Sequence, residues 1–150
     1  MNITPESVFF VLASGGRDKQ ITLWTANGKS QATLTAHTDS VKSLAFSPDN
    51  TWLASASYDN TAGLWQKAND NTWPLKYTLK AHTDHVQEVA FSPKSDLLAT
   101  ASDDGTVRLW DVNTGNHTKV LRGHQDKVFT VRFLNDHALM SGSADSSLRL

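Results

Sequence analysis

His37, Ser55 and Asp59 are the residue types of a nucleophilic hydrolase: a base, a hydroxyl, and a carboxylate to orient the base. The same types return as His82, Thr100 and Asp104, and again as His124, Ser141 and Asp145. Ser14 and Asp18 open the series without a histidine. A hydrolase needs one such set, beside an oxyanion hole and a substrate pocket. Recurrence marks scaffolding instead, so no catalytic residue and no enzyme are expected. A neutral imidazole donates from one ring nitrogen and accepts at the other, which lets it bridge a carboxylate and a hydroxyl. Trp24, Trp65 and Trp110 follow the first three sets, and an indole N–H needs a partner once its ring is buried. His82 and His85, with Asp84, have metal-ligand chemistry, but no helix places the pair on one face. No metal and no cofactor are expected. Gly15–Gly16 belongs to the repeat and is not a phosphate loop, and no Walker motif or glycosidase-type carboxylate pair appears.

The elements that hold these residues repeat as well. Ala13–Trp24 reads ASGGRDKQITLW, Ala54–Trp65 reads ASASYDNTAGLW, and Ala99–Trp110 reads ATASDDGTVRLW. Met140–Leu150, MSGSADSSLRL, stops one residue short of the next expected Trp. Before the last three copies comes His-x-x-x-Val-x-x-x-x-Phe, at His37/Val41/Phe46, His82/Val86/Phe91 and His124/Val128/Phe133. Histidines recur after 45 and 42 residues, and tryptophans after 41 and 45. Each unit divides into four strand-like runs separated by turn residues. In the second unit these are Val41–Ser47, Thr51–Ser57, Thr61–Gln66 and about Leu75–Lys80. Asp104–Gly105 is a strong two-residue hairpin signal. Trp65 to His82 is 17 residues, against 13 and 14 for the neighbouring units, so Lys67–Pro74 holds extra residues. That segment is either tolerated surface variation or a longer loop exposing Trp73 to a partner.

Composition narrows the partners. Fourteen basic and fifteen acidic residues, with no basic run, argue against nucleic acid or an anionic membrane surface. There is no cysteine, which excludes disulfides and thiolate metal sites and fits a reducing compartment. The apolar stretch Val8–Ala13 is about half a signal-peptide core in length, has no basic residues before it, and merges into the repeat. A cytoplasmic protein is expected. Asn2-Ile-Thr4 and Asn116-His-Thr118 match the glycosylation sequon, a pattern that arises often by chance.

A period of 40 to 45 residues with a histidine start and a Leu-Trp end resembles the WD40 family across essentially the whole chain. The resemblance implies an all-β fold of four-stranded antiparallel propeller blades, here an open array of about three and a half. The implied blade spans are 1–36 (incomplete), 37–81, 82–123 and 124–150 (incomplete). It also implies structural tetrads: His37, Ser55, Asp59 and Trp65, then His82, Thr100, Asp104 and Trp110. His124, Ser141 and Asp145 form a set without Trp; Ser14, Asp18 and Trp24 form one without His. Ser57 shares a strand face with Ser55, but its counterpart in the first unit is Gly16, so Ser55 is preferred. Only Trp110 is followed by Asp, in Asp111, so the full repeat carries the resemblance.

In the family, partners usually contact the loops before the first strands and the turns between strands two and three. Position by position, that selects Arg17, Tyr58, Asp103 and Ala144 before the turn aspartates. It also selects Ser40, His85 and Lys127 before the first strands, and Lys42, Gln87 and Phe129 just inside them. Arg17, Tyr58 and Lys42 lead the set, because Tyr and Arg are enriched where binding energy concentrates. The expected function is a non-catalytic protein-interaction scaffold; the alternative is a fragment of a larger WD40 regulator with no independent function. Two bare end faces are expected to drive self-association, one lined by Phe10, Leu12 and Leu23, the other by Phe129, Leu139 and Leu148.

Overall fold

The computed structural model describes residues 12–150, which form fourteen strands and no helix. The first sheet contains β1 (Leu12–Gly15), β2 (Gln20–Trp24) and β3 (Ser30–Thr35). The second contains β4 (Val41–Phe46), β5 (Trp52–Ser57), β6 (Thr61–Gln66) and β7 (Leu75–Lys80). The third contains β8 (Val86–Phe91), β9 (Leu97–Ser102), β10 (Val107–Asp111) and β11 (His117–Leu121). The fourth contains β12 (Val128–Asn135), β13 (Ala138–Ser143) and β14 (Leu148–Arg149). Every sheet is an antiparallel meander whose strands pair in chain order. The first unit leaves no room for a first strand of its own beyond Met1–Glu6, and that stretch lies outside the described residues, as does Phe10.

Turn chemistry sets the strand ends. Gly105 and Asn60 adopt positive φ (79° and 69°) in equivalent turns between strands two and three, where a left-handed residue closes a tight hairpin. Strands β4 and β5 are each one residue shorter than the sequence pattern predicts, because Ser47 leaves the ladder to organise the turn. Its hydroxyl accepts the Trp52 N–H at 2.9 Å.

The sheets stack through apolar faces that alternate along each strand. Ile21 and Leu23 of the first sheet meet Val41, Leu53 and Trp65 of the second. Ala54, Ala56 and Leu64 meet Val86, Val89 and Trp110 of the third, whose Ala99 and Val107 meet Val128 and Val131 of the fourth. Approach is close: a Cβ on Gly15 would lie 2.5 Å from a Val41 methyl. Hydrogen bonds link the innermost strands too. Ser43 Oγ accepts the Val89 N–H at 3.4 Å, and Glu88 accepts the Val131 N–H at 2.8 Å and the Thr130 hydroxyl at 2.6 Å. No closed ring forms among the described residues.

Three expectations need correction. Leu23 does not line a bare end face; it is 1% exposed and buried against the second sheet. Leu139 also turns inward, partly buried against the third sheet. Trp73 is not displayed on its loop. It is 5% exposed and packs edge-to-face on Phe46 at 5.4 Å, while Ala68–Thr72 forms the turn beneath it. The extra residues thus deliver an indole that caps the core between the first two sheets. Leu12, Phe129 and Leu148 are exposed as expected.

Candidate interaction face

Each complete polar set closes as a chain of hydrogen bonds. His37 Nδ1 lies 2.8 Å from Asp59 Oδ2 and Nε2 lies 2.8 Å from Ser55 Oγ, which accepts the Trp65 indole N–H at 3.0 Å. In the third sheet the same contacts are 2.8 Å to Asp104, 2.7 Å to Thr100, and 3.0 Å from Trp110 to Thr100. The fourth repeats them at 3.0 Å to Asp145 and 2.9 Å to Ser141. In the first, Trp24 donates to Ser14 at 2.8 Å and, among the described residues, Asp18 accepts the Gln20 N–H at 3.2 Å. Ser57 has a different duty: its hydroxyl accepts the Asp59 N–H and donates to the Asp39 carbonyl, holding the turn to the preceding loop.

The sequence reading missed one recurring member. Thr61, Thr106 and Ser147 each donate a hydroxyl hydrogen bond to Oδ1 of their turn aspartate at 2.6 Å. The signal was present, since a hydroxyl stands two residues after each of those aspartates. Burial by itself pushes the Asp104 carboxyl upward, but bonds from His82 and the Thr106 hydroxyl outweigh it and hold the group well below its ordinary range. Asp59 is lowered in the same way: burial opposes, and the Thr61 hydroxyl, the Thr38 N–H and His37 prevail. At Asp145 the Ser147 hydroxyl is the leading cause of a similar depression.

These sets are unsuited to nucleophilic chemistry. Ser55 and Thr100 are 0% exposed and already hold both an imidazole and an indole, so no substrate carbonyl reaches either hydroxyl.

The candidate binding positions form a second, partly exposed arrangement. The Tyr58 ring stacks on His85 of the next sheet with centroids 4.2 Å apart and planes inclined by 14°, and Lys42 Nζ stands 4.9 Å from the Tyr58 centroid. His85 Nδ1 lies 3.5 Å from Asp103 Oδ2, which also accepts from Lys127 Nζ of the fourth sheet at 2.9 Å. Gln87 donates to Asp103 Oδ1 at 2.8 Å. Lys42, Tyr58, His85, Asp103 and Lys127 thus form one chain across three sheets. Asp103, selected from the sequence as a partner-binding position, is instead turned inward. Its side chain is 2% exposed and anchors its neighbours, because Lys127 and Gln87 donate to it and the His85 ring lies 3.5 Å away. Asp84, His85 and Asp103 approach within metal-ligand range of one another, but the cation on Asp103 is the Lys127 ammonium, which this pairing holds more tightly protonated. Arg17 and Ala144 are exposed at the matching turns of the first and fourth sheets, Ser40 accepts the Tyr58 N–H, and Phe129 is half exposed beyond Lys127.

Comparison with known proteins agrees with this internal periodicity. The family model described as "WD domain, G-beta repeat" matches residues 28–66, 73–111 and 115–150. Each match starts with the outer strand of one sheet and runs through the third strand of the next, so sequence repeat and sheet are staggered by one strand. The chain is 37% identical over 144 residues to a ribosome biogenesis protein WDR12 homolog of Nematostella vectensis, covering 93% of this chain and 24% of that protein. It is 31% identical over 145 residues to Protein tipD of Dictyostelium discoideum, covering 96% and 16%. A 54-residue stretch is 44% identical to nuclear distribution protein PAC1-2 of Uncinocarpus reesii, covering 36% and 12%. The chain therefore spans a quarter or less of the length of these relatives. With three matched repeats, four antiparallel sheets and a complete His–Asp–hydroxyl–Trp set in each of the two middle sheets, this chain belongs to the WD40 repeat family.

Proposed function

We propose that the chain is a non-catalytic scaffold that binds other proteins through the face carrying Arg17, Lys42, Tyr58, His85, Gln87, Lys127 and Phe129. The observation that supports this most is the Lys42–Tyr58–His85–Asp103–Lys127 chain. It fixes aromatic and cationic side chains from three sheets in one row, with Lys42 and Lys127 exposed and Tyr58 and His85 half-buried between them, and an ordered row loses little conformational freedom when a partner arrives. Tyrosine supplies large contact area with few rotatable bonds. The relatives named for ribosome biogenesis and for nuclear distribution share the repeat rather than a process, so the partner is not taken from their names. The absence of cysteine supports a cytoplasmic setting. A second reading, in which these repeats serve inside a longer WD40 regulator, is favoured by the small share of its relatives that the chain spans.

Affinity capture from cell lysate tests the face. A Tyr58→Ala/Lys42→Ala chain loses the captured partner, whereas Lys76→Ala/Lys119→Ala, on the outer strands, retains it. Undiminished capture by the first variant assigns binding elsewhere.

A further inference from the structure

His85 differs from the three histidines of the repeated sets. His37, His82 and His124 each place Nδ1 2.8–3.0 Å from an aspartate oxygen. His85 Nδ1 stands 3.5 Å from Asp103 Oδ2 and 3.8 Å from Asp84 Oδ1, both beyond the usual hydrogen-bond length of about 2.7–3.2 Å. Donor atoms of the three residues lie within 4.8 Å of one another. A zinc ion bonded at about 2.0–2.2 Å in tetrahedral geometry holds its ligands about 3.3–3.6 Å apart. The spacing is therefore loose for hydrogen bonds and close to that of a metal site. Neighbouring groups hold the three side chains in place, as outer contacts orient metal ligands. The Tyr58 ring, stacked at 4.2 Å, fixes the imidazole plane, and Gln87 holds the other oxygen of Asp103 at 2.8 Å. Asp84 Oδ1 accepts the His85 N–H at 2.8 Å. Asp103 is buried, whereas the side chains of Asp84 and His85 are 48% and 40% exposed, so an ion reaches the set from solvent and keeps room for water.

Charge points the same way. Two carboxylates face His85, and the Lys127 ammonium, 2.9 Å from Asp103 Oδ2, balances one of them. The Lys127 side chain is 49% exposed, so it turns into water without disturbing β12. His82, the other histidine of the sequence motif, is bonded through both ring nitrogens and takes no part. We propose that Asp84, His85 and Asp103 form a zinc-class divalent metal site at which the ion takes the place of the Lys127 ammonium. One imidazole with two carboxylates suits zinc and its late first-row neighbours, and serves magnesium and calcium poorly, since these take oxygen ligands. The ion neutralises both carboxylates where the ammonium neutralised one. The site lies within the row described above but does not depend on partner binding. Its test reads zinc alone, so its failure leaves that reading standing.

Zinc is titrated into the tag-free full chain, first dialysed against a chelator, in competition with a zinc-responsive dye. Saturation at one ion per chain is expected. His85→Phe keeps an aromatic ring on Tyr58 but removes the ligand, and weakens binding at least about tenfold, the scale on which even the partners of metal ligands count. Lys127→Gln removes the competing cation and tightens binding severalfold. Urea midpoints near that of the unaltered chain show that both variants are folded. No saturable binding at millimolar zinc would overturn the proposal. So would undiminished binding by His85→Phe, which assigns the ion to other groups. Unchanged or weaker binding by Lys127→Gln, or equal tightening by Lys76→Gln on an outer strand, would overturn the exchange. Displacement of zinc by millimolar magnesium would overturn the class of ion.

Discussion

A single indole shows what the repeated sets contribute. Trp110 is 3% exposed in the core between the second and third sheets, and its N–H is held by Thr100. Trp110→Ala removes both, and should cost about 3–5 kcal/mol by urea denaturation. Trp24 makes the matching hydrogen bond on the outermost sheet but is only half-buried, so Trp24→Ala should cost well under half as much. Equal losses would contradict the burial argument. Asp59 and Asp104 add a pH dependence. Both carboxyls are held below their ordinary value in the fold, so their contribution is complete above the unfolded value of about 4, begins to fall below it, and is lost as pH drops through the lowered folded value. Urea midpoints should therefore drop between pH 5 and pH 3. Asp104→Ala, itself costing about 1–3 kcal/mol at neutral pH, should drop less steeply over that interval; an unchanged slope would remove Asp104 from the cause.

At the scale of the element, the loop between β6 and β7 separates what the sequence disclosed from what it withheld. Strands β4 to β7 were legible to within one residue, because period-two apolar residues and Asp, Asn and Pro turns mark both ends. The direction of Trp73 was not legible. Loop tryptophans look alike in sequence, and only the position of Phe46 across the core shows that this one turns inward. The polar sets were legible because four imperfect copies constrain one another. The convergence of Lys127, Gln87 and His85 on Asp103 was not, since it joins different strands and sheets at positions that vary between repeats. Trp73→Ala should destabilise the chain by about 3–5 kcal/mol in urea and leave partner capture, measured below the melting range, unchanged. Lost capture with unchanged stability would return Trp73 to the binding surface.

At the scale of the whole molecule, the described residues stack as four sheets in chain order, the first and last with three strands each. Phe129, Leu134 and Leu148 of the last sheet are 50%, 54% and 71% exposed, an unusual concentration of apolar surface on so small a unit. The 150-residue chain by itself should therefore show light-scattering masses above the 16.5 kDa monomer at micromolar concentration; a sharp monomer peak with a cooperative melt would show that it stands alone. The central claim concerns the face rather than the ends, and hydrogen exchange of the chain with and without its captured partner tests it most directly. The account predicts slowed exchange at the turns and loops around Arg17, Ser40–Lys42, Tyr58, His85–Gln87, Asp103 and Lys127–Phe129, with little change along β3, β7 and β11. Protection confined to those outer strands, with the turns unaffected, would contradict it.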